Sequence, residues 1–179
     1  MKRLCYCLLA TGAFLLLGTS LNAQINLTGG QTAQQLAEYL AGPNITVTNA
    51  VLSEGNTALP VGGTSNAAGQ FTGTNSDIGF DSGVILSSGN SVNEAPGPNI
   101  SNSTGANLGN SGTAQMTALA GANTFDAITL EFDFEVQSSF IQFNYVFASE
   151  EYPEFAPPNN SGFNDVFAFF ISGLGITGE

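Results

Sequence analysis

The sequence predicts a mainly β protein, a jelly-roll-like β-sandwich carrying one or two short helices. Three observations support this. Residues 128–136 alternate strictly between apolar and polar side chains, as a strand with one buried and one wet face does. Two further apolar segments, 140–147 and 166–171, lie within the next 35 residues and have strand length. Helical periodicity is confined to two short stretches.

The chain has 179 residues with 2 Lys+Arg, 14 Asp+Glu, no His and 2 Cys. Lys2, Arg3, Cys5 and Cys7 account for every basic residue and every cysteine. An apolar run from Leu4 to Leu17 follows the two charges, and Ala23 closes a small polar region. This order reads as a secretory signal over 1–23, cleaved before Gln24. The run is 14 residues, short of the roughly 20 needed to span a bilayer. The remaining 24–179 is read as one exported domain with no membrane span. It carries a side-chain charge of −14, since removing two positives from −12 leaves only the acids.

That composition excludes whole classes of chemistry. Beyond residue 23 there is no Ser-His-Asp triad, Cys nucleophile, Schiff-base lysine, His or Cys metal site, or disulfide. Nucleic acid is excluded as a partner because no side chain is present to neutralise phosphates.

Along the domain, Ala33, Leu36, Ala37 and Leu40 share one face of a helix over 31–40. Thr28 or Thr32 caps it and Gly42-Pro43 ends it. Residues 45–52 begin as an alternating strand. The zone 54–125 holds 13 glycines, interrupted by a short strand at 84–86 and one or two helical turns at 113–120, stopped by Gly121. Residues 89–112 read as a long surface loop. Strand 128–136 is expected to form a hairpin with 140–147 across Gln137-Ser138-Ser139. Strand 166–171 is apolar on both faces and needs cover on both sides. Only eight residues follow Ile171, so the domain is expected to be incomplete at its C-terminus.

Three segments together are similar to the choice-of-anchor L domain family. They are Ile78-Gly79-Phe80-Asp81-Ser82-Gly83-Val84-Ile85-Leu86-Ser87-Ser88-Gly89, then 143–155 (Phe143-Asn144-Tyr145-Val146-Phe147-Ala148-Ser149-Glu150-Glu151-Tyr152-Pro153-Glu154-Phe155), then Phe163-Asn164-Asp165-Val166-Phe167-Ala168-Phe169-Phe170-Ile171-Ser172-Gly173. The Thr32–Leu36 helix start and Leu119-Ala120-Gly121 also match, so the resemblance covers nearly all of 30–175. It implies an exported bacterial module, often of Bacteroidetes, secreted or displayed at the cell surface and joined to an anchoring or sorting signal. An anchor or sorting domain is therefore expected downstream of Glu179.

Seven carboxylates fall between Glu131 and Asp165. Glu131, Asp133 and Glu135 share a strand face, which reads as a solvated outer surface or as a weak cation-binding one. Glu150, Glu151 and Glu154 leave one strand as Asn164 and Asp165 enter the next. These five hard-oxygen donors are the candidate Ca²⁺ ligands, although their spacing is not that of an EF-hand. The plainer alternative is that Glu150 or Asp165 accepts backbone N–H bonds to hold the loop. Overall the reading is a non-enzymatic display, adhesion or ligand-binding module, with a surface glycan or protein as partner. The alternative is an extracellular glycan-active hydrolase using a carboxylate pair, Glu151 and Asp165. Tyr145, Tyr152 and Phe155 are candidate glycan contacts or loop-pinning residues.

Overall fold

The structure, a computed structural model, describes residues 25–74, 76–90, 107–137, 140–149, 155 and 165–176. The proposed signal segment 1–23 and most of the predicted loop 89–112 lie outside the described residues.

Two three-stranded antiparallel sheets form the body. The first orders β1 (Asn26–Thr28), β4 (Ala68–Thr72) and β5 (Ser82–Leu86) as β1-β4-β5. The second orders β2 (Ile45–Glu54), β3 (Thr57–Ala58) and β6 (Ile128–Val136) as β3-β2-β6. Neither closes into a barrel. The mainly β expectation therefore holds.

Helix α1 (Ala33–Ala41) links the sheets. Of the two possible caps, Thr32 takes the role. Its Oγ1 accepts from the Gln35 backbone N–H at 3.3 Å, and its own N–H donates to Gln35 Oε1 at 2.9 Å. This reciprocal pair satisfies two of the amides that a helix start leaves unpartnered. At the other end Gly42 adopts φ 74°, and its N–H donates to Glu38 O. The predicted apolar face is the buried one. Leu36 and Ala37 are fully covered, and Leu36 meets Leu52 of β2 and Ala68 of β4. Ala33, Leu59, Val84, Ile128 and Leu130 pack around this cluster. One core thus draws side chains from both sheets, as a sandwich requires.

The pairing of β2 with β6 carries an irregularity. Thr48 stands opposite Asp133, but the next matched pair is Val51 with Glu131. One extra residue on β2 makes a β-bulge, and Asn49 occupies it at φ 53°. Asparagine tolerates this left-handed conformation better than most residues. The bulge resets the face: Val47 is buried before it and Leu52 after it, an odd and then an even position.

Helix α2 (Ala114–Ala120) is capped by Thr113, whose hydroxyl accepts from Met116 N–H, and stops at Gly121 in the left-handed region, φ 68°. The expected strand at 84–86 is the greater part of β5, half-buried rather than fully enclosed.

Two expectations require correction. Residues 128–136 do form β6, but its partner is β2 and not 140–147. Residues 140–149 and 165–176 carry no strand ladder. They run antiparallel through side chains instead. The Phe143 and Phe169 rings stack with centroids 4.4 Å apart, and those of Tyr145 and Phe167 at 5.1 Å. Most of their large apolar groups are exposed, including Tyr145 at 61% and Phe169 at 51%. For 166–171 this exposure is the one anticipated: a segment apolar on both faces requires cover on both, and among the described residues it is only partly covered.

Candidate functional site

The sequence singled out the acidic loop between the two aromatic segments. Of its five candidate ligands, only Asp165 is described; Glu150, Glu151, Glu154 and Asn164 lie outside the described residues. Asp165 is exposed and its Oδ2 accepts from the Ser149 hydroxyl at 2.9 Å. That bond ties together the two ends from which the loop departs. Asp165 is thus an acceptor as the plainer alternative expected, but from a side-chain hydroxyl and not from a backbone N–H. Among the described residues, no three acidic side chains converge to hold a metal ion. Glu151 of the candidate catalytic pair lies outside the described residues as well.

The acidic stripe on β6 is exposed at Glu131, Asp133 and Glu135. Across the ladder these residues face Val51, Thr48 and Thr46. Since the domain has no cationic side chain, any protein donor to these exposed carboxylates is neutral. The bulge supplies one: Asn49 Nδ2 donates to Asp133 Oδ2 at 2.7 Å. A hydrogen bond to a charged acceptor is stronger than one between neutral groups.

A cleft of about 290 Å³ opens between the start of β2 and the end of β6. Pro43, Asn44 and Ile45 form one wall; Val136, Gln137 and residues 140–142 form the other. Its lining is apolar and amide, with no carboxylate. The candidate glycan contacts are not gathered there. Tyr145 stacks on Phe167, Phe155 is half-buried, and Tyr152 lies outside the described residues.

A polar clamp went unread in the sequence. Asp126 is buried at φ 49°, and its Oδ1 accepts from Asn110 N–H at 2.6 Å. Its own N–H returns a bond to Asn110 O. Ser111 bridges Phe125, while Asn56 Nδ2 donates to Ser111 Oγ and to the Gly112 carbonyl. Together with the Gly55 N–H bond to Ala127 O, these contacts fasten the glycine-rich zone to the β2–β3 turn. The partners are some 55 residues apart, so no local spacing announces them. A second such contact joins Ser65, buried, to Glu54 at the end of β2: the hydroxyl donates to Glu54 Oε1 at 2.5 Å and accepts from Ala67 N–H.

Two antiparallel sheets on one core, a surface without cations and a glycine-rich crossing held by amide bonds define an acidic, mainly β module. The profile of the choice-of-anchor L domain matches residues 24–179, and the chain belongs to that family. Membership makes it a surface-associated or secreted module. Comparisons with curated proteins and with solved structures find no match. Among the described residues, no helix is long and apolar enough to cross a membrane.

Proposed function

We propose that the chain is exported through residues 1–23 and acts, without catalysis, in display or adhesion, recognising a surface glycan or protein. The family match over 24–179 carries this reading. The charged start, apolar run and small-residue boundary of 1–23 support export. Exported protein is expected to begin at Gln24 by N-terminal sequencing and to be removed from intact cells by added protease. Material that starts at Met1 and stays protected inside cells refutes it.

The proposal includes Ca²⁺ held by Glu150, Glu151, Glu154, Asn164 and Asp165. The Ser149–Asp165 bond supports it by joining the two loop ends. Carboxylates crowded without a cation repel one another, and a bound Ca²⁺ relieves that repulsion. Binding to the folded form alone would add about 2.7 kcal/mol at a hundredfold excess over the dissociation constant. The test is thermal melting with Ca²⁺ or chelator at constant ionic strength. A Tm that rises with Ca²⁺, and rises less in Asp165→Asn and Glu151→Gln, is expected. An unmoved Tm, or equal shifts in both variants and the parent, overturns the ion and leaves these residues as loop-holding acceptors. The alternative, a glycan-active hydrolase, requires those same two variants to abolish glycan cleavage that the parent performs.

A further inference from the structure

We infer, resting on the glycan recognition proposed above, that the cleft at the joined ends of β2 and β6 binds one or two rings of an uncharged sugar chain. Ile45 and Val136 form the terminal pair of the β2–β6 ladder, and the cleft of about 290 Å³ opens beside them. All the residues that line it lie among those described. Its volume sits at the lower end of small-molecule sites, which run from about 300 to 1,000 Å³. Eight residues line it, against about 20–30 on each side of a standard protein interface. A small ligand therefore fits it better than a protein partner or a second copy.

The chemistry of the lining selects the ligand. Ile45 and Val136 supply apolar surface, and Phe140 adds a ring that is 71% exposed. Asn44, Gln137 and Gln142 contribute three side-chain amides, each able both to donate and to accept. A sugar ring answers both kinds of group. Its C–H face lies on apolar or aromatic surface, and the hydroxyls at its edge donate and accept in turn. No charged side chain lines the cleft, so a carboxylate or an amine on the ligand would find no partner there. The 14 carboxylates of the domain work further against an anionic sugar.

Two of the amides are restrained before any ligand arrives. Pro43 and Asn44 form the turn from α1 into β2, and Asn44 stands at φ 73°, the sign that a type II turn takes after its proline. Gln142 Nε2 donates to Asn144 Oδ1 at 2.8 Å, which limits rotation of that amide. Groups fixed in advance lose less freedom on binding. Neither the acidic stripe of β6 nor the proposed Ca²⁺ ligands line the cleft, so sugar binding here is expected to be independent of Ca²⁺.

The test is an NMR titration of the isotope-labelled full chain with neutral trisaccharides of glucose, galactose, mannose, xylose and N-acetylglucosamine, and with trigalacturonate as the anionic control. At least one neutral sugar is expected to shift the backbone amides of Asn44, Ile45, Gln137 and residues 140–142 saturably, with or without chelator, and trigalacturonate is expected not to. Phe140→Ala and Gln142→Ala, both at exposed positions, are each expected to weaken that binding about tenfold at an unchanged Tm. No saturable shift with any neutral sugar, an equal response to trigalacturonate, shifts only elsewhere on the domain, or parental affinity in both variants overturns the site. Shifts at these amides on diluting the protein alone assign the cleft to a second copy and also overturn it. Retention of the protein on beads coated with the bound sugar separates this site from the broader reading. Parent and Phe140→Ala retained alike would leave glycan recognition standing and overturn the cleft, whereas loss of retention in Phe140→Ala alone supports both. Binding of the trisaccharide without retention of the parent supports the cleft and counts against adhesion.

Discussion

Replacing Leu36 by Ala tests whether the two sheets share one core. Leu36 is 0% exposed and touches Leu52, 1% exposed, and Ala68, 1% exposed, on opposite sheets. Truncation removes three buried carbons, worth about 2.4 kcal/mol at roughly 0.8 kcal/mol per methylene. The cavity adds more, because the lining strands are pinned by their ladders and cannot collapse freely onto an alanine. A loss of about 3–4 kcal/mol is expected, a lowering of Tm by roughly 10 °C for a domain of this size. Leu119→Ala on α2 is the matched control, since that side chain is 58% exposed. Its effect should stay within about 0.5 kcal/mol. Circular dichroism melts and urea titrations of both variants provide the assay, with an unchanged urea slope confirming that stability alone was altered. A Leu36→Ala shift no larger than that of Leu119→Ala would refute the shared core.

Thr32→Ala should cost about 1 kcal/mol through loss of the cap, measurable by the same titration. Asn49→Val should destabilise by about 1–2 kcal/mol, since a β-branched residue resists φ 53°. Asn49→Gly should cost less, having only the Asp133 bond to lose. Gly112→Ala should disrupt the glycine-rich crossing, because an added Cβ would overlap the Thr124 hydroxyl and carbonyl; loss of amide-exchange protection at Gly112 and Asp126 would report it. The exposed aromatic groups of 140–149 and 165–176 should make the protein self-associate increasingly with added sulfate, read by light scattering, whereas a monomer at every salt concentration would contradict that.

The elements legible in the sequence were those whose pattern is local. Helix α1 declares itself by Ala33, Leu36, Ala37 and Leu40 with Thr32 before them, and β6 by its alternation. Strand β4 did not, because Ala68-Gly69-Gln70-Phe71-Thr72 has little β-propensity and takes its shape from β1 and β5 on either side. The bulge at Asn49 was not legible: Ala50, Val51 and Leu52 are all apolar, and the change of parity from Val47 to Leu52 shows only in their burial. The pairing of β2 with β6 was missed because a sequence neighbour, 140–147, offered an equally good alternation, and periodicity gives a strand's faces without its partner. In the candidate site, residue chemistry was readable but convergence was not, since the Ser149–Asp165 contact depends on how two distant segments meet.

The order of pairing sets the order of folding. All three strands of the β1-β4-β5 sheet lie within residues 26–86, so that sheet can assemble once the first half of the domain is free. The other sheet waits: β2 ends at Glu54, and its long partner begins at Ile128. Until β6 arrives, β2 has among the described residues only the two-residue β3 beside it in the sheet, too little to hold a sheet alone. Closing a loop of that length carries an entropic penalty before any ladder bond compensates it. A chain threaded from its N-terminus through a narrow passage would therefore stay open through most of its transit, with Leu52 uncovered. It would complete its core only as residues 128–136 emerge on the far side.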